Sequence, residues 1–383
     1  MSNRWVALII VFLTRTSMGF QFQAVASVAP LMVQDLGLSY AQLGTLVGIY
    51  MLPGAFFALP GGVIGQRLGE RRVVIAGLAL MVLGGIVTAS ATGFAVAAAG
   101  RIVSGVGAVL MNILLARLIS DWFAGKELST AMAVMLTSWP VGLGLATALL
   151  GHLAADSGWR WPITMTVIGA GIGLLLMLLA FREAPRAAGA PAAQPHAALT
   201  GRDLRLSVSA GFAWGCFNAS LVAIIVFGPG LLIARGTPLG EAGSIVSLAI
   251  WLTILSIPLG GLLGDRLGRP NLMIVVGSLV AALVTLLIPV LSPAILAFCL
   301  VGLAIGPPPG PLMALLPRAL PPERLTAGFG VFYTLFYVMM ALTQPAAGFV
   351  RDRFGTPTAP IAFAAIVMAA TAIGLAIFRR LES

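Results

Sequence analysis

Residues 260–270 read GGLLGDRLGRP, and residues 61–72 read GGVIGQRLGERR. A shift of 199 residues superposes Gly61, Gly62, Gly65, Arg67, Leu68 and Gly69 on Gly260, Gly261, Gly264, Arg266, Leu267 and Gly268. The same shift, without a gap, carries Pro30 to Pro229, Gly37 to Gly236 and Gly44 to Gly243. Agreement over such a distance marks a duplication of half the chain. In each copy small residues flank a charged turn, so two helix ends can approach closely while a cation or an acid sits at the rim.

The rest of the chain says which solvent those helices meet. Of its 383 residues 59% are hydrophobic and 9% charged, and the mean hydropathy is +1.04. No ordinary soluble composition approaches this. The apolar runs last about twenty residues rather than alternating over about ten, which points to helices and away from a β-barrel. The 46 glycines and 24 prolines fit closely packed, kinked helices in lipid. Spans are expected near 4–33, 40–65, 72–91, 93–119, 127–154 and 161–181, then near 206–234, 241–264, 271–291, 294–316, 325–350 and 358–379. The first run is longer than the apolar core of a cleaved signal and has no small-residue cleavage site, so it is expected to stay as a span. Residues 182–205, REAPRAAGAPAAQPHAALTGRDLR, lack any apolar period and are read as a flexible linker, with His196 a solvated loop residue.

A net charge of +10 in a soluble chain would point to nucleic acid. Here the charges lie between spans and serve as membrane anchors, so the partner is the bilayer and not nucleic acid. One side collects Arg4, Arg67, Arg71, Arg72, Lys126, Arg182, Arg186, Arg202, Arg205, Arg266, Arg269, Arg318, Arg324, Arg379 and Arg380; the other holds Arg160, Arg235, Arg351 and Arg353. Both termini are therefore expected in the cytoplasm, and the arginine-rich composition points to a bacterial inner membrane. Cys216 and Cys299 fall in apolar segments and read as small hydrophobes, so no disulfide and no metal site is implied. With two histidines and acids confined to span ends and loops, no catalytic constellation and no cofactor site is visible.

The repeated turn resembles the loop signature of the major facilitator superfamily, a Gly-x-x-x-Asp-Arg-x-Gly-Arg pattern. The first-half copy departs from it, with Gln66 for the acid and Glu70 for a basic residue. The resemblance implies an all-α membrane protein of twelve transmembrane helices in two pseudo-symmetric halves, residues 1–181 and 206–383. It further implies a monomeric secondary transporter that works by alternating access, with Arg67, Asp265, Arg266 and Arg269 at gating positions. RIVSGVGA, residues 101–108, is similar to the superfamily's fourth-helix pattern, in which Arg101 serves coupling or packing. The fifth helix carries Trp139-Pro140 where drug antiporters of the superfamily have Gly-Pro. The segment from Thr14 to Gly54 is similar to first-helix segments of the cyanate and nitrate/nitrite branches.

Arg15 then becomes the residue to explain. It lies near the middle of the first span, where an arginine costs about 2.5–3.5 kcal/mol or more. None of the twelve acids is placed to neutralise it. An unpaired guanidinium among low-dielectric walls focuses positive potential and suits two-point recognition of a small anion, an organic carboxylate or an inorganic oxyanion. The alternative is that Arg15 bonds helix carbonyls and neighbouring amides and serves structure alone. The repeat sets Trp214 opposite it. Further candidates for the cavity are Gln23, Tyr50, Asn112, Ser138, Trp139, Asn218 and Trp251, and a stripe of Tyr333, Tyr337, Met340 and Gln344 on one face of the eleventh helix. Arg101, Ala108 and Asn112 share a helical face that is expected to line the same cavity. His152 is read as an interfacial histidine. Coupling, if any, would be to a proton or a counter-anion. Export of hydrophobic or neutral compounds is the other reading; cationic cargo would want a buried acid.

Overall fold

A computed structural model describes residues 4–58, 60–123, 127–184 and 198–382. Most of the expected linker, with His196 and Arg186, lies outside the described residues, as does Lys126. Among the described residues twelve helices are long and apolar enough to cross a membrane. They are α1 (Arg4–Ser27), α2 (Tyr40–Phe57), α3 (Glu70–Ala89), α4 (Phe94–Trp122), α5 (Thr130–Ser157) and α6 (Arg160–Leu179), then α7 (Gly201–Ile233), α8 (Leu239–Leu267), α9 (Pro270–Leu287), α10 (Ala294–Ala319), α11 (Pro322–Phe354) and α12 (Ala359–Glu382). An even number of spans puts both ends of the chain on one face.

Where these helices depart from the expected spans, local chemistry gives the reason. α2 is regular over Tyr40–Gly48 and again over Pro53–Phe57, and a separate helix covers Gly61–Leu68. Pro53 and Pro60 each lack the N–H that a continuous helix needs. In α10 the run Gly306-Pro307-Pro308-Pro309-Gly310 ends one regular segment at Ala304, and the next begins at Pro309. α7 starts at Gly201 rather than at 206, because Thr200 and Asp203 form a reciprocal capping box. Asp203 also accepts from Arg324 Nη1 at 2.9 Å, tying α7 to α11.

The packing follows the duplication. α1 lies against α5 and α6 as α7 lies against α11 and α12, and α3 meets α6 as α9 meets α12. The outer surface is apolar: Leu83, Ile86, Leu175, Leu262 and Ile366 are all exposed, the arrangement expected of a wall that faces lipid.

Between the halves α2 packs on α11 and α5 on α8. The duplicated glycines Gly44 and Gly243 sit at these two seams. A methyl group on Gly44 would come 2.2 Å from the Gln344 carbonyl oxygen, and one on Gly243 would come 2.3 Å from that of Thr147. Only a residue without a side chain permits such an approach. The chain direction places both seams toward the face away from the termini, where α2 and α8 begin and α5 and α11 end. The 199-residue shift also pairs Arg351 with His152. Arg351 stacks over the Tyr40 ring at 3.9 Å and donates to its hydroxyl at 2.9 Å, while His152 Nε2 lies 3.1 Å from Ser244 Oγ. The molecule is therefore latched on the face away from its termini.

Candidate functional site

Arg15 enters the interior from α1 and finds its partners on α4 and α5. Its Nε donates to Asn112 Oδ1 at 2.9 Å, and Nη1 donates to Met135 O, Leu136 O and Ser138 Oγ at 3.2, 3.1 and 3.2 Å. The Leu136 carbonyl is free for this because residue 140, whose N–H would bond it in a continuous helix, is proline. Trp139-Pro140, unusual as a sequence pattern, thus has a structural consequence. These bonds satisfy one edge of the guanidinium. Nη2 has no hydrogen-bond partner among the described residues, and it is not among the buried polar atoms left without one. No carboxylate lies within ion-pair distance of Arg15 among the described residues.

The other half supplies phenols and an aromatic wall. Tyr333 and Tyr337 of α11 lie near enough to Arg15 to feel its charge, and Tyr337 lies beside Asn112. Trp214 is not stacked on Arg15. It stacks with Phe217 and Phe332 at 6.0 and 6.2 Å, and Tyr333 continues the wall between Phe332 and Phe336. Trp139 packs on Phe22 at 5.4 Å, Trp251 fills the seam against Gly144, and Asn218 Nδ2 turns back to the Trp214 carbonyl at 2.9 Å. The assembled group is therefore Arg15, Asn112, Ser138, Tyr333 and Tyr337.

Four residues expected at the cavity are sealed instead. Arg101 is 2% exposed and does not share an open face with Asn112; its three nitrogens donate to Leu46 O, Gln21 O and Phe22 O, each at 2.9 Å, and its carbon lies 4.3 Å from the Tyr50 ring centroid. Tyr50 is fully buried under it and donates to Gln21 Oε1 at 3.2 Å. Gln344 is fully buried and donates to Ala219 O, and Gln23 is buried with neither side-chain atom partnered. Periodicity could put Arg101 on a face; it could not say that carbonyls of α1 and α2 would cover that face. Arg67, Asp265, Arg266 and Arg269 are exposed at the face of the termini, without an ion pair among the described residues.

The latch on the opposite face escaped the sequence reading. Asp352 and Tyr40, which build it, lie 312 positions apart. The seam glycines were visible in the repeat, and Arg351 and His152 were placed toward this face, but their partners across the seam were not visible.

Comparison with known proteins follows the same lines. A profile described as Major Facilitator Superfamily matches residues 11–338 and 206–383. The 3-(3-hydroxy-phenyl)propionate transporter of Escherichia coli (strain K12) is 30% identical over 286 residues, 70% of this chain and 68% of that one. The multidrug transporter mfsC of Aspergillus fumigatus is 31% identical over 161 residues, 42% of this chain; the aligned part is 31% of the fungal protein's length. Among solved structures a point mutant of the nucleoside transporter NupG superposes with a TM-score of 0.77 over 99% of both chains at 14% identity, a likeness of fold alone.

Proposed function

The chain belongs to the Major Facilitator Superfamily of secondary transporters, and from that membership and the geometry at Arg15 we propose that it carries a small organic carboxylate by alternating access. The observation that carries the reading is the free Nη2 edge of Arg15, held in place by Asn112, Met135, Leu136 and Ser138 and facing two phenols of the other half. A carboxylate there would gain charge-assisted bonds from Arg15 and hydroxyl donors from Tyr333 and Tyr337, so one ligand would touch both halves. The aromatic wall of Trp214, Phe332 and Phe336 favours an organic body over a bare inorganic oxyanion of the cyanate or nitrate kind. The arylpropionate transporter among the relatives, itself named for an organic acid, supports the same choice.

The cation-rich face is assigned to the cytoplasm of a bacterial inner membrane, with both termini inside. The latched face is then assigned to the outside, and the chain is taken to work as a monomer. Exchange for a second anion requires no titrating acid beside Arg15; proton coupling would have to use the substrate or a group outside this site.

Counterflow of a panel of carboxylates into proteoliposomes tests the reading. Arg15→Gln is expected to raise KM more than about tenfold, the loss of a charge-assisted bond of roughly 1.5–3 kcal/mol. Undiminished carboxylate uptake by that variant would sink it. The second reading, export of hydrophobic neutral compounds, is favoured by the aromatic wall and by the fungal multidrug relative. It requires the Arg15→Gln protein to keep moving such compounds while no carboxylate is carried by the unmodified chain.

A further inference from the structure

A second cationic site lies at the face of the termini, away from Arg15. A cavity of about 520 Å³ is lined by Arg71, Arg72, Leu179, Phe181, Arg182 and Glu183, where the start of α3 meets the end of α6. Arg71 is committed: it donates to Met177 O at 3.1 Å and Leu178 O at 2.9 Å, the orphan carbonyls that close α6. Trp122 fixes the far wall by donating its indole N–H to Arg182 O at 3.0 Å. The side chains of Arg72 and Arg182 are exposed and have no partner among the described residues.

Three cations against one acid leave this cavity positive. Arg71 and Arg72 also occupy the first turn of α3, the end of a helix where the backbone dipole disfavours cations and favours an anion. Glu70, in the same turn, is taken by Arg117 of α4 and does not neutralise them. Leading from the cavity along α6, Ile172, Leu175 and Leu179 expose an apolar ridge at helical spacing, with Leu179 82% exposed. A charged pocket above a lipid-facing ridge has the shape of an amphiphile, phosphate in the pocket and acyl chains along the ridge.

We propose that this cavity seats the phosphate headgroup of an anionic phospholipid, with Arg72 and Arg182 as its ligands and Arg71 as a fixed wall. The apolar ridge selects a lipid over free phosphate. The site is independent of the transported substrate, and its test uses none.

The full chain, purified in an uncharged detergent, would be titrated with phosphatidylglycerol, phosphatidylcholine or inorganic phosphate while its thermal midpoint and its lipid adducts by native mass spectrometry are read. Phosphatidylglycerol is expected to raise the midpoint saturably and to be retained as an adduct; the other two are not. At roughly fivefold per arginine, Arg72→Gln with Arg182→Gln is expected to weaken the response more than about tenfold. The paired Arg→Lys changes keep most of it. Should the double variant fail to purify, Arg182→Gln alone carries the comparison, since that residue lies beyond the end of α6. An unaltered phosphatidylglycerol response in the Gln variants, or an equal response to inorganic phosphate, would overturn the proposal.

Discussion

Asp352, near the end of α11, caps the start of α2 from across the interface between the halves. Its Oδ1 accepts from the Tyr40 N–H at 2.9 Å and its Oδ2 from the Ala41 N–H at 2.8 Å. Ser39 serves the next donor, that of Gln42, within α2's own capping box. Two of the first N–H groups of α2 are therefore satisfied only while this face is closed. Opening it gives them to water.

Asp352→Ala is accordingly expected to shift the balance of access states toward opening of this face. A lost cap is worth about 1 kcal/mol, or roughly fivefold in population. Spin labels at Gln34 and Thr356, both exposed beside the latch, would report longer distances in the variant. An unchanged distance distribution would show that the cap does not bias the equilibrium.

The seam glycines should act in the same direction and more strongly. Alanine at Gly44 or Gly243 places a methyl group 2.2 or 2.3 Å from a carbonyl oxygen of the other half, so the face can close only after the seam widens. Overpacking of this kind costs about 1–3 kcal/mol. Each variant is expected to fold and to lose counterflow by about tenfold, and the two should resemble each other because the duplication relates them. Full activity in either would mean that the seam yields without cost.

The duplication made the twelve spans, the two halves and both seam glycines legible, because each depends on spacing along the chain. That Arg15 has no acidic partner among the described residues was legible for a different reason, since a census of acids needs no coordinates. What the sequence withheld is tertiary. The partners of Arg101 are backbone carbonyls of α1 and α2, which have no side-chain identity to read. Tyr50 looked like a donor for substrate and is instead covered by that guanidinium. The breaks in α2 and α10 are written in their prolines, but hydropathy averages across them.

Arg101 is expected to behave as a structural tie. Arg101→Ala removes three buried charge-assisted hydrogen bonds that tie α4 to α1 and α2, a loss of about 3 kcal/mol or more, so the thermal midpoint should fall steeply, with Arg101→Lys intermediate. A stable Arg101→Lys protein whose transport pH profile has moved would argue instead for a role in coupling.

Asp35 offers a pH-dependent test outside the spans. The Trp159 indole N–H and Arg160 Nη1 both donate to Asp35 Oδ2 at 2.8 Å and hold the carboxyl below its usual value. A carboxylate whose folded value is lowered contributes stability above its unfolded value, about 3.9, and loses it as pH falls through the folded one. The difference in thermal midpoint between the unmodified chain and Asp35→Asn should thus be constant above about pH 5 and shrink below about pH 4. A difference that persists undiminished in acid would assign the effect to packing of Trp159.

Pro140 joins helix geometry to substrate recognition. Because it offers no N–H to the Leu136 carbonyl, that oxygen is open to Arg15 Nη1 at 3.1 Å. Pro140→Ala supplies the missing donor and removes the clash of the ring with the preceding turn, a helix stabilisation of up to about 3 kcal/mol. The same change draws the Leu136 carbonyl back into α5 and loosens the guanidinium that the substrate would meet. The variant is expected to melt higher than the unmodified chain while its KM for the carboxylate rises severalfold. A higher midpoint with KM unaltered would show that Asn112, Met135 and Ser138 suffice to aim Arg15.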